Sequence, residues 1–165
     1  MKAGRVKRMF ALLMALIAGL GFAATTIAAP PAGLQWEVHG TGSGSASLTA
    51  VDSTGPAMPM YIGNAQYTLN LSSPGTMVAN GAPGGVCEFI TGTGTIVAAN
   101  GSGIAFATVG TLCNEAGMGS PLHYNGTYRI TGANGRFEGV LGGGSLTATF
   151  GPTHFFKIDG TITGI

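Results

Sequence analysis

Apolar and polar residues take turns along most of this chain beyond residue 33, the period-2 pattern of a strand with one buried face. Leu34, Trp36 and Val38 alternate with Gln35, Glu37 and His39, which predicts a first strand over 34–39. Residues 40–45, rich in glycine and serine, read as a turn. A second strand is expected over 46–51, with Ala46, Leu48 and Ala50 on one face opposite Ser47, Thr49 and Val51, ending at the turn-forming residues 52–56. Tyr67, Leu69 and Leu71 phase a third strand within 61–71, and 72–85 reads as a long Ser/Pro/Gly/Asn loop.

Two further runs, 86–98 and 103–113, are joined by Ala99, Asn100, Gly101 and Ser102. A loop at 114–120 follows. Leu122, Tyr124, Tyr128 and Ile130 then alternate with His123, Asn125, Thr127 and Arg129 in a strand whose apolar face is interrupted at Gly126. Asn134-Gly135 marks a tight turn, because both residues adopt positive φ cheaply. A glycine connection, a strand over 145–150, a turn at Gly151-Pro152 and a last strand over 154–165 complete the chain. No segment beyond the apolar leader shows a helical period of useful length. Eight short strands at this spacing indicate an all-β sandwich or barrel. A closed antiparallel eight-stranded barrel is expected, since closure leaves no free edge in a chain with few charges to guard one. Such a barrel is filled by side chains or holds one small ligand. A membrane barrel is disfavoured, because several predicted strands fall short of the 9 to 11 or so residues that cross a bilayer.

Cys87 and Cys113, the two cysteines of the chain, fix a register. If the loop between the flanking strands is the three-residue type with a left-handed glycine, Cys87 faces Cys113, Ile96 faces Ile104, and the Phe106 ring covers the bare Gly94. A two- or four-residue loop would leave the cysteines offset. An even cysteine count in an exported chain reads as one disulfide. Without a Cys-x-x-Cys pair, its role is structural.

Residues 126–147 read GTYRITGANGRFEGVLGGGSLT. Tyr128, Ile130, Gly132, Gly135, Phe137 and Gly139, followed by the glycine run into Ser145, resemble the glycine pattern of allene-oxide-cyclase-like and dirigent-like β-barrels. Gly160-Thr161-Ile162-Thr163-Gly164 resembles their closing strand. Ala133 departs from the pattern, where glycine is common. The resemblance implies the barrel fold, and no cyclase catalytic residue matches a position here. Fold analogy alone does not license a function, and three readings share this fold: a non-catalytic module that binds a small apolar ligand or serves structurally, an isomerase or cyclase working on a hydrophobic substrate in the barrel, or a surface-assembly subunit forming homo-oligomers.

The N-terminus changes both the compartment and the charge. Lys2, Arg5, Lys7 and Arg8 precede an apolar run over 9–24, then Thr26-Ile27-Ala28-Ala29 and Pro30-Pro31. This is the three-part layout of a secretory signal peptide over 1–29, cleaved after Ala28 or Ala29, with a barrel domain over 30–165 in a secreted or periplasmic protein. The alternative is an uncleaved apolar anchor. Without the leader, Arg129, Arg136 and Lys157 stand against six acidic residues, a net charge of −3 rather than the +1 of the whole chain. Nucleic acid and anionic lipid are therefore poor partners.

Few residues suggest chemistry. His39, His123 and His154 lie on three different strands with no paired spacing, so no metal site is expected. Gly-x-Ser-x-Gly and phosphate-loop patterns are absent, and no cofactor is expected. The sequons at Asn70, Asn100 and Asn125 fit chance in a Gly/Ser/Thr-rich chain. Glu88 shares its phase with Ile90 and Ile96, which makes it the candidate interior carboxylate. Glu37, Arg129 and Lys157 fall opposite the apolar faces of their strands. Tyr67, Phe106, Tyr124 and Tyr128 are the candidate lining of a ligand cavity, together with Tyr61, Trp36 and Phe156; the same residues equally make an ordinary core.

Overall fold

The computed structural model describes residues 33–75, 77–79, 85–114 and 120–164; the leader lies outside them. The strands are β1 (Leu34–Ala46), β2 (Ala50–Pro59), β3 (Ala65–Ser72), β4 (Met77–Ala79), β5 (Val86–Ala98), β6 (Gly103–Asn114), β7 (Leu122–Asn134), β8 (Leu141–Phe150) and β9 (His154–Thr163). A 3₁₀ turn, Gly135–Phe137, follows β7. All pairs are antiparallel, in the order β3-β2-β1-β9-β8-β7-β6-β5, and β3 pairs back onto β5. The sheet therefore closes into an eight-stranded barrel. The short β4 extends the path of β3 along the start of β5, pairing Met77 with Glu88 and Ala79 with Val86, inside what the sequence pattern reads as a loop.

The β5–β6 hairpin has the expected register. Cys87 pairs with Cys113, Gly94 with Phe106 and Ile96 with Ile104, and Cys87 and Cys113 form a disulfide. Gly101 takes the left-handed position at φ 83°, and the Ala98 amide closes the loop on the Ser102 carbonyl at 2.9 Å. Strands 122–130 and 145–150 are also where the alternation puts them, each extended by several residues.

Three expectations fail together. Residues 40–45 and 52–56, read as turns, lie inside β1 and β2, and the 142–144 glycine run lies inside β8 rather than forming a connection. The first hairpin instead turns at 47–49, where the Ser47 amide donates to the Ala50 carbonyl at 2.8 Å. That shift reverses the reading of β2: Val51 is buried and Ala50 is exposed. At the other end of β2, residues 61–64 form the turn ahead of β3 rather than its start, and Tyr61 takes a positive φ of 68° there.

The physical reason is the narrow bore. Across one row of the wall, Trp36 pairs with Gly160, Gly160 with Gly144, and Gly144 with Tyr128. Two bare positions thus separate two large rings. A Cβ on Gly160 would lie 2.7 Å from the Tyr128 hydroxyl, and one on Gly40 would enter the Phe156 ring. Glycine in a strand interior often marks such close approach. Here it gives inward aromatics their room.

The filled core contains Trp36, Tyr67, Phe106, Tyr124, Leu69, Ile90, Ile96, Ile104, Leu112, Leu146, Ile158 and Ile162, each less than 2 % exposed or at that limit. The outward positions are mostly threonine, serine and charged residues. Several strands reach 10 to 13 residues, so length does not argue against a membrane barrel as the sequence reading held. Polarity does: the apolar face points in and the polar face out, the reverse of a lipid-facing barrel.

Candidate functional site

Inside the barrel, polar side chains meet where glycine leaves the wall bare. His154 on β9 pairs with Gly42 on β1, Ser53 on β2 with Gly44, and Tyr67 on β3 with Gly55. Over these glycines the Tyr67 hydroxyl lies 2.8 Å from Ser53 Oγ, and Ser53 Oγ lies 2.9 Å from His154 Nδ1. Phe156 packs against Tyr67 with ring centroids 4.2 Å apart. A serine beside an imidazole is the geometry of an activated nucleophile. Yet Ser53 and His154 are 1 % and 2 % exposed, so no substrate reaches them from solvent. Burial pushes the His154 imidazole below its ordinary pKa and the Tyr67 phenol above its own, the latter offset by the Ser53 hydrogen bond.

A second pair forms between β6 and β7. The Tyr124 hydroxyl lies 2.7 Å from Thr108 Oγ1, which donates to the Thr127 carbonyl at 2.8 Å. Burial raises the Tyr124 pKa, and the Thr108 bond opposes the rise. Tyr128 differs. It packs edge-on to Phe106 at 6.0 Å and against Trp36 at 6.1 Å, and among the described residues neither its hydroxyl nor Trp36 Nε1 has a hydrogen-bond partner. Burial, and then the nearby Asp159 carboxylate, push the Tyr128 phenol up to about 12. All three interior tyrosines are therefore neutral hydroxyls at neutral pH.

Glu88 faces the interior, as its phase indicates, and is 3 % exposed. It lies near the end of the barrel that carries the β1–β2 and β8–β9 turns, where Ser73 donates to its Oε2. Across the wall Glu88 pairs with Leu112, and Leu112 with Tyr124, so along this row a leucine stands between the carboxylate and Tyr124. The candidates Glu88, Tyr67, Tyr124, Tyr128 and Phe106 all point inward, but they fall into separate clusters within one packed core. Tyr61 alone of the aromatics weighed from sequence is well exposed, in the β2–β3 turn.

On the outer face of β1, β9, β8 and β7 lies a groove of about 500 Å³. Its floor is Thr147 and Thr149 of β8. One wall is Lys157 and Phe155 of β9 with His39 of β1, and the other is His123 and Asn125 of β7. Glu37 beside the groove accepts from Lys157 Nζ and pairs with His39 Nε2, each at 2.8 Å, and Asp159 lies 3.5 Å from Lys157. Lys157, and after it His39, hold the Glu37 carboxyl below its ordinary pKa, and the same pairing raises that of Lys157. Sequence spacing did not join His39 to His123, because they sit three strands apart in a ring whose order is set by closure. Their outward phase, opposite Val38 and Tyr124, is the signal available. Among the described residues no three His, Cys, Asp or Glu side chains form a metal-binding group.

No protein-family model, curated protein or solved structure matches this chain.

Proposed function

We propose that this chain is an exported, disulfide-braced barrel of the allene-oxide-cyclase-like and dirigent-like type, acting without catalysis as a rigid module that presents its outer face. The observation carrying this reading is the filled bore: Trp36, Tyr67, Phe106, Tyr124 and Tyr128 are at most 3 % exposed, and Cβ atoms added on Gly42, Gly94, Gly126 and Gly160 would collide with Tyr67, Phe106, Tyr124 and Tyr128 in turn. An isomerase or cyclase of this shape needs a dry cavity for its substrate. Here the same volume is occupied by side chains, and the polar groups inside are mostly satisfied by one another. The Cys87–Cys113 bridge fits an oxidising compartment.

The test is a titration of the purified chain with apolar probes, benzene and a fluorescent fatty acid, followed by NMR. The expected result is no perturbation of the Phe106, Tyr124 and Tyr128 resonances. Saturable shifts at those residues would restore the ligand-in-barrel reading. Intact mass of the exported protein checks the compartment: it should lack the first 28 or 29 residues.

Assembly is the second reading, favoured by one feature. Leu34, Met60, Tyr61 and Leu141 lie at the same end of the barrel and are 38 to 65 % exposed. Native mass spectrometry reads the subunit count directly.

A further inference from the structure

We propose that the outer groove over β8 binds a ring of a neutral saccharide. The inference rests on the outer-face reading above and names its ligand. Two paired rows cross the groove: His39, Lys157, Thr147 and Asn125 in one, and Thr41, Phe155, Thr149 and His123 in the next. The walls on β9 and β7 are two strand spacings apart, roughly 9.5 Å, with only threonines between them. That leaves a slot as wide as one six-membered ring laid over the floor.

The lining decides what such a ring would be. The Phe155 side chain is 53 % exposed in the groove and offers an apolar surface to the C–H face of a sugar. Around it stand hydroxyls, an amide and imidazoles, groups that together both donate and accept, as a ring of alcohols requires. Charge is balanced rather than one-signed, because Lys157 is engaged by both Glu37 and Asp159. A phosphate or sulfate would have to compete with two carboxylates for that ammonium. A purely apolar guest would strip water from the threonines, Asn125 and His123 without replacing their hydrogen bonds.

The walls are also held in place before any ligand arrives. His123 Nδ1 lies 3.3 Å from Thr149 Oγ1, His39 Nε2 is fixed on Glu37, and Lys157 is tethered twice. Each ring or amine thus keeps hydrogen-bonding capacity in a defined position, which lowers the ordering cost of binding. The volume of about 500 Å³ falls within the ordinary range of small-molecule sites, roughly 300–1,000 Å³. Because the groove is open to solvent, binding is expected to be weak for one ring and to strengthen along a chain of them.

The experiment titrates the disulfide-intact protein with hexasaccharides of α-1,4-glucose, β-1,4-glucose and β-1,4-N-acetylglucosamine, and with a sulfated hexasaccharide, reading backbone amide shifts. Sedimentation with the corresponding insoluble polysaccharides tells a free oligosaccharide ligand from a wall-bound one. The expected result is saturable shifts confined to residues of the groove for at least one neutral probe, weakened roughly tenfold or more by Phe155→Ala and by Asn125→Ala. Phe89→Ala, at another exposed phenylalanine outside the groove, should leave them unchanged. No groove shift at millimolar neutral probe, binding of the sulfated probe alone, or equal binding by Phe155→Ala overturns the assignment. If these fail while apolar probes still do not enter the barrel, only the saccharide assignment falls. If an apolar probe enters, the outer-face reading itself falls.

Discussion

Two aromatic clusters fill the same bore and are built differently. Around Tyr67 and Phe156, the polar groups partner one another, hydroxyl to hydroxyl to imidazole Nδ1, with three strands contributing side chains over the glycines of the neighbouring wall. Around Trp36, Phe106 and Tyr128, the rings meet in tilted and edge-on contacts, but the indole N–H and phenol O–H find no hydrogen-bond partner among the described residues. The first cluster specifies its geometry through direction-dependent bonds, and the second through shape alone. A partnered hydroxyl in a core contributes about 1 kcal/mol, whereas an unpartnered one carries its desolvation cost with no return. Both clusters share one requirement, which is a missing Cβ on the facing strand.

That shared requirement gives the largest expected effect. Gly40→Ala places a methyl in the Phe156 ring, and overpacking of this kind should cost roughly 2–3 kcal/mol in urea unfolding. Combining it with Phe156→Leu should lose less than the sum of the two single changes, because the clash is removed. Simple additivity would mean the ring does not need the bare glycine.

Next is the relay itself. Ser53→Ala leaves both the Tyr67 hydroxyl and His154 Nδ1 buried without their partner, for a loss of about 2 kcal/mol, while the same change at an outward serine such as Ser145 should be nearly silent. Equal effects at the two sites would erase the distinction between the clusters.

The relay responds to pH near neutrality, whereas the other cluster responds only at alkaline pH, where its buried Tyr128 phenol, pushed up to about 12, resists the ionisation that the unfolded chain undergoes. Burial lowers the His154 pKa in the folded chain, so the unfolded chain takes up the proton first. Stability from this group is complete above the ordinary value of 6.5 and is lost as pH falls from there through the depressed folded value. Thermal melts from pH 7.5 to 5 should decline, and His154→Gln should flatten the decline. Glu37, whose pKa is lowered by Lys157 and His39, acts in a separate window below its ordinary carboxylate value.

The smallest effect sharpens the comparison most. Tyr128→Phe removes a hydroxyl without a partner among the described residues, and should change stability by no more than about 0.5 kcal/mol, or raise it slightly. Tyr67→Phe, the same chemical change in the other cluster, should cost about 1 kcal/mol. A reversed order would mean that the Tyr128 hydroxyl has a partner in solution.

Strand phase was legible wherever large apolar residues recur every second position. Tyr67, Leu69 and Leu71 announce their inward face, and Leu122 to Ile130 do the same across the gap at Gly126. Glu88 was legible for the same reason, since its parity matches Ile90. The cysteine hairpin went further, because a three-residue loop and a covalent bridge independently demand one register. The candidate groove was not legible. His39, Phe155 and His123 are ordinary outward residues until closure sets β1, β9, β8 and β7 side by side.

Local alternation and one hairpin's loop length therefore determined an all-β chain, the inward set on most strands, and the Cys87–Cys113 pairing. Only the closed barrel decided what its glycines do. A run such as Gly40 to Gly44 or Gly142 to Gly144 carries no phase of its own, and in isolation it bends as readily as it extends. The first run becomes strand as Phe156 and Tyr67 arrive from elsewhere in the chain to cover Gly40 and Gly42, and the second as Gly144 pairs with Tyr128 and with Gly160; the contacts of β1 with β9 exist only once the sheet has closed.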